Sequence, residues 1–380
     1  MIKVIYIFLS FFLYISSFFK DKNLYKINLV LVFLFFSSAY CLNYDWINYR
    51  YFYEKILSDD IIESVIHSGF EPGFVIVSYL CKTLELDYQW VMVLLNITIF
   101  SFFNSAVKKF ENKNLALFVF FSFFGFFLIA EQIRQAVALS IGFKALDCYI
   151  NEKKLRAYFL VIVASLFHVS AVFLIVMMLL HKMLHRKSRP FFTIMVLISG
   201  TLAPLGFSLI LQNSAMFSFY PLLAKKLAYY NNQDLGNDSG LLTIGLLPNL
   251  ALVILIGLYA VKNYGRRYSQ QALIASAFII QSKIISLFYR FSHYGIINIL
   301  FCFDEIFKDK KPLNFYRCLV VTVVFSFALK PLSTELYRSS LFDYHFYWIT
   351  SQNVTSMKKS RCDTLYKIYP TSTYTLGTCS

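Results

Sequence analysis

Glu131-Gln132-Ile133-Arg134-Gln135-Ala136-Val137-Ala138 opens an apolar run that continues to Ile150. A basic turn follows, Asn151-Glu152-Lys153-Lys154-Leu155-Arg156, and then Ala164-Ser165-Leu166-Phe167-His168-Val169-Ser170-Ala171. Long apolar segments lie on both sides. The arrangement therefore holds an arginine and a histidine at or inside a membrane, where ionisable groups are costly and point to function.

Working outward, the same apolar character covers the whole chain of 380 residues. It is 58% hydrophobic, 19% aromatic and 15% charged, with mean hydropathy +0.59. Soluble domains carry roughly 25% charged residues. Apolar runs of about 18 residues or more recur, which marks a polytopic α-helical membrane protein. The alternation in segments of about 10 residues that a membrane β-barrel needs is absent. A net charge of +15 fits positive-inside loops facing anionic lipid. It does not imply nucleic acid, because no soluble basic module is present. The seven cysteines (Cys41, Cys81, Cys148, Cys302, Cys318, Cys362, Cys379) show no Cys-x-x-Cys spacing. They read as packing residues rather than a zinc site or a disulfide framework. No Gly-x-Gly-x-x-Gly, Walker or zinc motif occurs, nor an internal repeat, and no cofactor or metal is implied.

The expected fold class is all-α: one polytopic membrane domain over residues 1–380, with about 10–12 transmembrane helices. Spans are expected at Ile2–Phe19, Leu24–Leu42, Tyr88–Val107, Leu115–Ala130, Ile133–Ile150, Pro190–Leu211, Leu241–Val261, Gln271–Tyr289, Phe291–Phe307 and Leu313–Leu329. Long outer-face loops fall at 43–87 and 212–240, and a tail of mixed character occupies 331–380. Lys/Arg counts in the short loops put 43–87 outside and Arg134 at the outer end of its helix. Ala157–Leu180 is the difficulty. As one span of 24 residues it would force the basic segment His181–Arg189, and every later basic loop, outward. A re-entrant hairpin or a broken helix at Phe167-His168 returns them to the cytoplasm, and irregular backbone is tolerated where protein or a wet cavity surrounds it.

Several groups could then act on the outer side. Arg134 and Arg290 suit a phosphate or pyrophosphate, since guanidinium offers a planar fork of donors and stays charged. His168 can take or orient a hydroxyl proton, with Asp45 or Glu71 as a second base. Gln135, Glu71, Tyr49, Tyr220, Tyr230, Lys225 and His293 are candidate substrate-binding groups. Each has a plainer alternative. Arg134 could pair with Glu131, and Arg290 could anchor at headgroup level where two short spans meet. His168 could bond the backbone at a break, Asp45 could cap a helix, and Glu71-Pro72-Gly73 could be a turn. The tyrosines could form an interfacial belt. His181 and His185 read as solvated in a basic loop.

With these residues the sequence resembles the EpsG family of exopolysaccharide proteins, grouped with Wzy-type O-antigen and capsule polymerases. The likeness rests on Asp45, Tyr49 and Tyr53 and on Glu-Pro-Gly-Phe at 71–74. It extends to Ile-Arg-Gln-x-x-Ala at 133–138, Tyr-Ile-x-x-Lys-Lys at 149–154 and Ala-x-x-Phe-His-x-Ser-Ala at 164–171. The resemblance implies a multi-pass protein of the bacterial inner membrane, GT-C-like in fold. Its substrates would be oligosaccharide repeat units carried on undecaprenyl pyrophosphate. It would move a growing glycan from that carrier onto the next unit at the periplasmic face, with a chain-length regulator and a flippase of the same pathway as possible partners. A flippase for the same lipid-linked units, a membrane acyltransferase acting on glycans, and a non-catalytic scaffold are the competing readings. A transporter should show repeats and charges near midplane, which this chain lacks.

Overall fold

Helix accounts for about 85% of the residues described by the computed structural model. Those residues are 2–40, 42, 44–56, 61–184, 246–262, 269–281, 286–308, 314–342, 345–348 and 354–368. They fall into two compact units, Met1–Ala171 with Pro312–Ser380, and Val172–Lys311.

The first unit begins with α1 (Ile2–Ser16) and α2 (Lys22–Ser37), the latter started by Asp21, whose carboxylate accepts the Leu24 N–H at 2.6 Å. The strand β1 (Ala39–Tyr40) follows, then α3 (Trp46–Lys55), α4 (Ile61–His67) and α5 (Pro72–Thr83), so the 43–87 segment is largely helical. Next come α6 (Tyr88–Ala106) and α7 (Lys113–Phe120), continued by a π-helical stretch Phe121–Ile129. α8 (Ile133–Ile150) has the bounds read from sequence, and α9 (Lys154–Ser165) returns along it.

At Leu166-Phe167-His168 the helix stops, and a 3-10 turn Val169–Val172 follows. Helices rise about 1.5 Å per residue, so the 12 residues of α9 cover roughly 18 Å against a hydrocarbon core of about 30 Å. A continuous span over Ala157–Leu180 is therefore not what forms. The break lies where the loop charges demanded one.

Beyond the second unit, α15 (Phe315–Ser333) has Pro331 inside its last turn, and the 331–380 region supplies α16 (Glu335–Phe342), β2 (His345–Phe346) and α17 (Val354–Ile368). β2 pairs antiparallel with β1, Ala39 opposite Phe346 and Tyr40 opposite His345. Met357, Cys362 and Leu365 of α17 pack on Tyr40, Tyr44, Trp46 and Ile47. Cys362 is disulfide-bonded, which corrects the reading of every cysteine as a packing residue.

Two described helical stretches are long and apolar enough to cross a membrane, Tyr88–Lys109 and Phe315–Ser333. Shorter apolar helices lie at Lys3–Ser16, Lys113–Ile129, Val169–Lys182, Leu247–Tyr259 and Gln271–Gln281. The surface of the first unit points the same way. Val4, Phe8, Phe11, Ile27, Val30, Leu34, Phe159 and Ile162 face outward, while Asn28, Asn96 and Asn114 are buried. Asn28 donates to Asn114 at 2.8 Å, and Asn114 donates in turn to the Phe19 and Asp21 carbonyls. Apolar faces outside and amides hydrogen-bonded to one another and to backbone carbonyls inside suit lipid as solvent.

The second unit contains α10 (Phe173–Leu184), α11 (Leu246–Lys262), α12 (Ser269–Gln281), α13 (Ser286–Ile296) and α14 (Asn298–Phe307). Arg290 lies within α13, and α13 and α14 are separated at Ile297, so the junction expected at Arg290 falls seven residues later. His181 is buried and its Nε2 lies 2.9 Å from Asn298 Oδ1. It is a core residue of this unit, not a solvated loop residue, because burial in an apolar bundle requires a partner for its ring nitrogen. His185, Tyr220, Lys225, Tyr230, the 212–240 loop and the Pro190–Leu211 span lie outside the described residues.

Candidate functional site around Arg134

Three segments distant in sequence meet in the first unit. α8 supplies Arg134 in its first turn, the start of α5 supplies Glu71 and Phe74, and α3 supplies Tyr49. The Arg134 Nη1 donates to Glu71 Oε2. Its guanidinium carbon lies 4.7 Å from the Phe70 ring centroid, 5.3 Å from that of Tyr49 and 6.0 Å from that of Phe74. Cation–π contacts contribute about 0.5–2 kcal/mol each, more as water is excluded. The rings also pack against one another at a tilt, Tyr49–Phe74 at 5.2 Å and Phe70–Phe74 at 5.3 Å between centroids, and Phe52 joins them 4.9 Å from Phe70. The charge is held by a carboxylate and an aromatic cage.

Helix ends explain the placement. Glu71 occupies the N-cap position of α5 with Pro72 behind it, a fixed-φ residue suited to the first helical position. Its side chain makes no cap bond and turns to Arg134 instead. Asp45 sits at the N-cap position of α3, also without a side-chain cap bond. Its Oδ2 accepts the Tyr49 hydroxyl at 3.3 Å. Tyr49 in turn accepts from Arg134. Burial, and then the Asp45 charge, push the Tyr49 phenol up from its ordinary value, so it remains a proton-bearing donor.

Glu131 does not pair with Arg134, although three residues separate them. Its Oε2 accepts the Tyr44 N–H at 3.0 Å, and the Asp45 N–H bonds it as well. Burial and the neighbouring Asp45 charge raise its carboxyl well above the ordinary range, opposed by those two N–H groups and by Arg361.

The second motif reaches the same place through the backbone. Gly73 N–H donates to the Leu166 carbonyl at 2.7 Å. A Cβ on Gly73 would stand 2.8 Å from that oxygen and 3.1 Å from Phe167 Cδ1, so only glycine permits the approach. This contact fixes the helix break that carries His168. There, the Ser170 N–H donates to His168 Nδ1 at 3.3 Å, with Ser170 Oγ 2.5 Å from the same atom. A backbone N–H can only donate, so Nδ1 is an acceptor and the neutral ring carries its proton on Nε2. His168 is half-buried, with its Nδ1 engaged by Ser170.

Asp45, Tyr49, Glu71 and Arg134 are thus brought together, with His168 two residues past the Gly73 contact. Gln135 is buried in α8. Arg290 and His293 lie on α13 in the second unit, His293 buried. Sequence reading missed the Phe70/Phe74 cage, the demand on Gly73 and the true partner of Glu131. The recurrence of Phe at 70 and 74, on either side of Glu71-Pro72-Gly73, was the available signal for the cage. Glu131 had none, since its partners are backbone groups 87 positions away. Among the described residues no group of three His, Cys, Asp or Glu side chains is placed to hold a metal.

A family model for EpsG matches residues 24–346, most of the chain and all of the residues just described except Arg361. The chain belongs to the EpsG family. With the apolar helices, this makes it a membrane protein of polysaccharide synthesis. No curated protein and no solved structure matches it. The matched segment of this EpsG-family chain includes β2 and ends before α17, so the packing of α17 on α3 lies outside the shared region.

Proposed function

We propose that this EpsG-family protein is a polysaccharide polymerase of the bacterial inner membrane. It spans the membrane many times, with the 43–87 segment, the first turn of α8 and the His168 break at the outer face. It transfers a growing glycan from undecaprenyl pyrophosphate onto a lipid-linked repeat unit. The observation that carries this reading is Arg134 itself, a guanidinium caged by Glu71 and three rings at a helix N-terminus. That end of a helix already favours anions, and a cation fixed there makes a receptor for a pyrophosphate leaving group. The disulfide at Cys362 supports the orientation. Thiols stay reduced in the cytosol, and α17 packs beside α3.

In the reaction an acceptor sugar hydroxyl attacks the anomeric carbon of the growing chain. The new glycosidic C–O bond forms as the bond to pyrophosphate breaks, and the hydroxyl proton passes to a base. Arg134 stabilises the charge that develops on the leaving phosphate, help that is strongest in a site shielded from water. Glu71 and the cage keep the guanidinium fork aimed. His168, with its proton on Nε2, orients an oxygen by donation. Glu71 is committed to Arg134, so Asp45 is the carboxylate we assign to receive the proton, through its contact with Tyr49.

Purified protein supplied with lipid-linked repeat units tests the assignment. A glycan ladder from wild-type protein is expected, and Arg134→Lys should lower chain extension by about 10²–10³-fold, the usual loss when one preorganised donor is removed. A wild-type ladder from a normally expressed Arg134→Ala protein would overturn the site. Movement of the lipid across vesicles without any ladder would replace the polymerase reading with a flippase.

A further inference from the structure

Glu131 is buried beside the constellation, and neither the family match nor the mechanism above gives it a role. Its carboxylate lies in the connection between the π-helical stretch and α8, three residues before Arg134. Chemical intuition would pair those two. Instead Glu131 reaches the entry to α3, where it accepts the N–H groups of Tyr44 and Asp45. The N–H groups that follow bond within the turn, Ile47 to the Tyr44 carbonyl at 3.2 Å and Asn48 to the Asp45 carbonyl at 3.1 Å. The Asp45 side chain makes no cap bond and meets Tyr49. Glu131 therefore holds the backbone at the entry to α3 from the connection that leads into α8.

Three further observations show that this seat is built. Trp46, the first residue of α3, is buried against α17. Arg361 of α17 is 1% exposed, lies 5.9 Å from the Tyr44 ring, and supplies positive charge to Glu131. It is anchored by donation to the Ser340 carbonyl at 3.2 Å. Asp45, Glu131 and Arg361 are the charged groups that meet at this end of α3.

We propose that Glu131 is a positioning residue of the Arg134 site. Its carboxylate seats the first turn of α3 from the junction that carries Arg134, and so fixes Asp45 and Tyr49 against the guanidinium. One short segment, Glu131 to Arg134, then sets both halves of the site: the cation directly and the carboxylate–phenol pair through α3. Arg361 of α17 adds positive charge near Glu131. Only the catalytic consequence rests on the polymerase reading; the seating of α3 does not.

Deuterium exchange on the full-length protein in detergent micelles reads the seating directly. In Glu131→Ala the Tyr44 and Asp45 amides should exchange at least tenfold faster, while amides of Val137–Phe143 in α8 keep wild-type protection. Glu131→Gln retains an acceptor oxygen and should restore exchange to within about threefold of wild type. Glu131→Asp keeps the charge but withdraws the oxygen by one methylene, roughly 1.5 Å, and should behave like alanine. It also keeps the test decisive if alanine fails to fold. Unchanged protection in Ala and Asp, or equal loss in Gln, overturns the proposal. On lipid-linked repeat units the same series should order chain extension Gln above Asp and Ala, mainly in kcat. Wild-type kcat in a variant whose α3 has lost protection overturns the positioning role. If wild-type protein makes no ladder at all, the polymerase reading fails while the exchange data still decide the seating.

Discussion

Gly73→Ala is the most economical probe of whether the two sequence motifs act as one site. The added methyl carbon would lie 2.8 Å from the Leu166 carbonyl oxygen, 3.1 Å from its carbon and 3.1 Å from Phe167 Cδ1. Two of these three atoms are backbone, so no side-chain rotation relieves the overlap. Carbon atoms rest about 3.5–4.0 Å apart, so α5 and the break must separate by roughly half an ångström or more. Overpacking of this kind costs about 1–3 kcal/mol, and stretching the Gly73–Leu166 hydrogen bond about 1 kcal/mol more. Alanine's better helix propensity returns at most about 1 kcal/mol, less in a first turn. The net is a loss of about 1–3 kcal/mol, concentrated between Glu71 and His168. Since 1.36 kcal/mol is tenfold in rate, chain extension on lipid-linked repeat units should fall about tenfold or more, with thermal unfolding in detergent lowered by a few degrees. Wild-type extension together with wild-type stability would refute the idea that this close approach holds the two motifs in register.

Other outcomes follow from the same geometry. His168→Gln keeps an N–H near the Nε2 position, so it should retain extension within about tenfold of wild type while His168→Ala loses about 10²-fold, the scale of general acid–base or donor loss; equal loss in both would restore the histidine as base. Glu131 keeps its proton to higher pH in the folded chain than in the unfolded one, chiefly through burial and then Asp45. The folded state therefore binds more protons above about pH 4.3, and stability should fall as pH rises through the raised value. Glu131→Gln should flatten that slope in thermal melts taken across pH 4–8, and an unchanged slope would assign it elsewhere. In the second unit, Gly295→Ala places a methyl into the Phe278 side chain. That variant should accumulate poorly, with recovery in Gly295→Ala/Phe278→Ala, read by membrane-fraction yield. Single cysteines at Leu166–Val169 should react with an impermeant maleimide from the outer side; reaction only from the inner side would remove His168 from the site.

Hydropathy and length alone gave the helical class and the bounds of α8, because a lipid-facing helix must be apolar over its whole length. Loop charge located the break near His168, since positive residues resist translocation. The same patterns singled out Arg134, as an ion in an apolar run. What they did not carry was partnership. Arg134 has Glu131 three residues before it, yet its partner is Glu71, 63 positions away. Glu131 is drawn off by backbone N–H groups, and every residue's N–H looks alike in a sequence. Periodicity and charge are properties of local segments and of the solvent they face. Which carboxylate meets which cation depends on how α3, α5 and α8 pack, and on a glycine at position 73 that lets one backbone come within 2.7 Å of another.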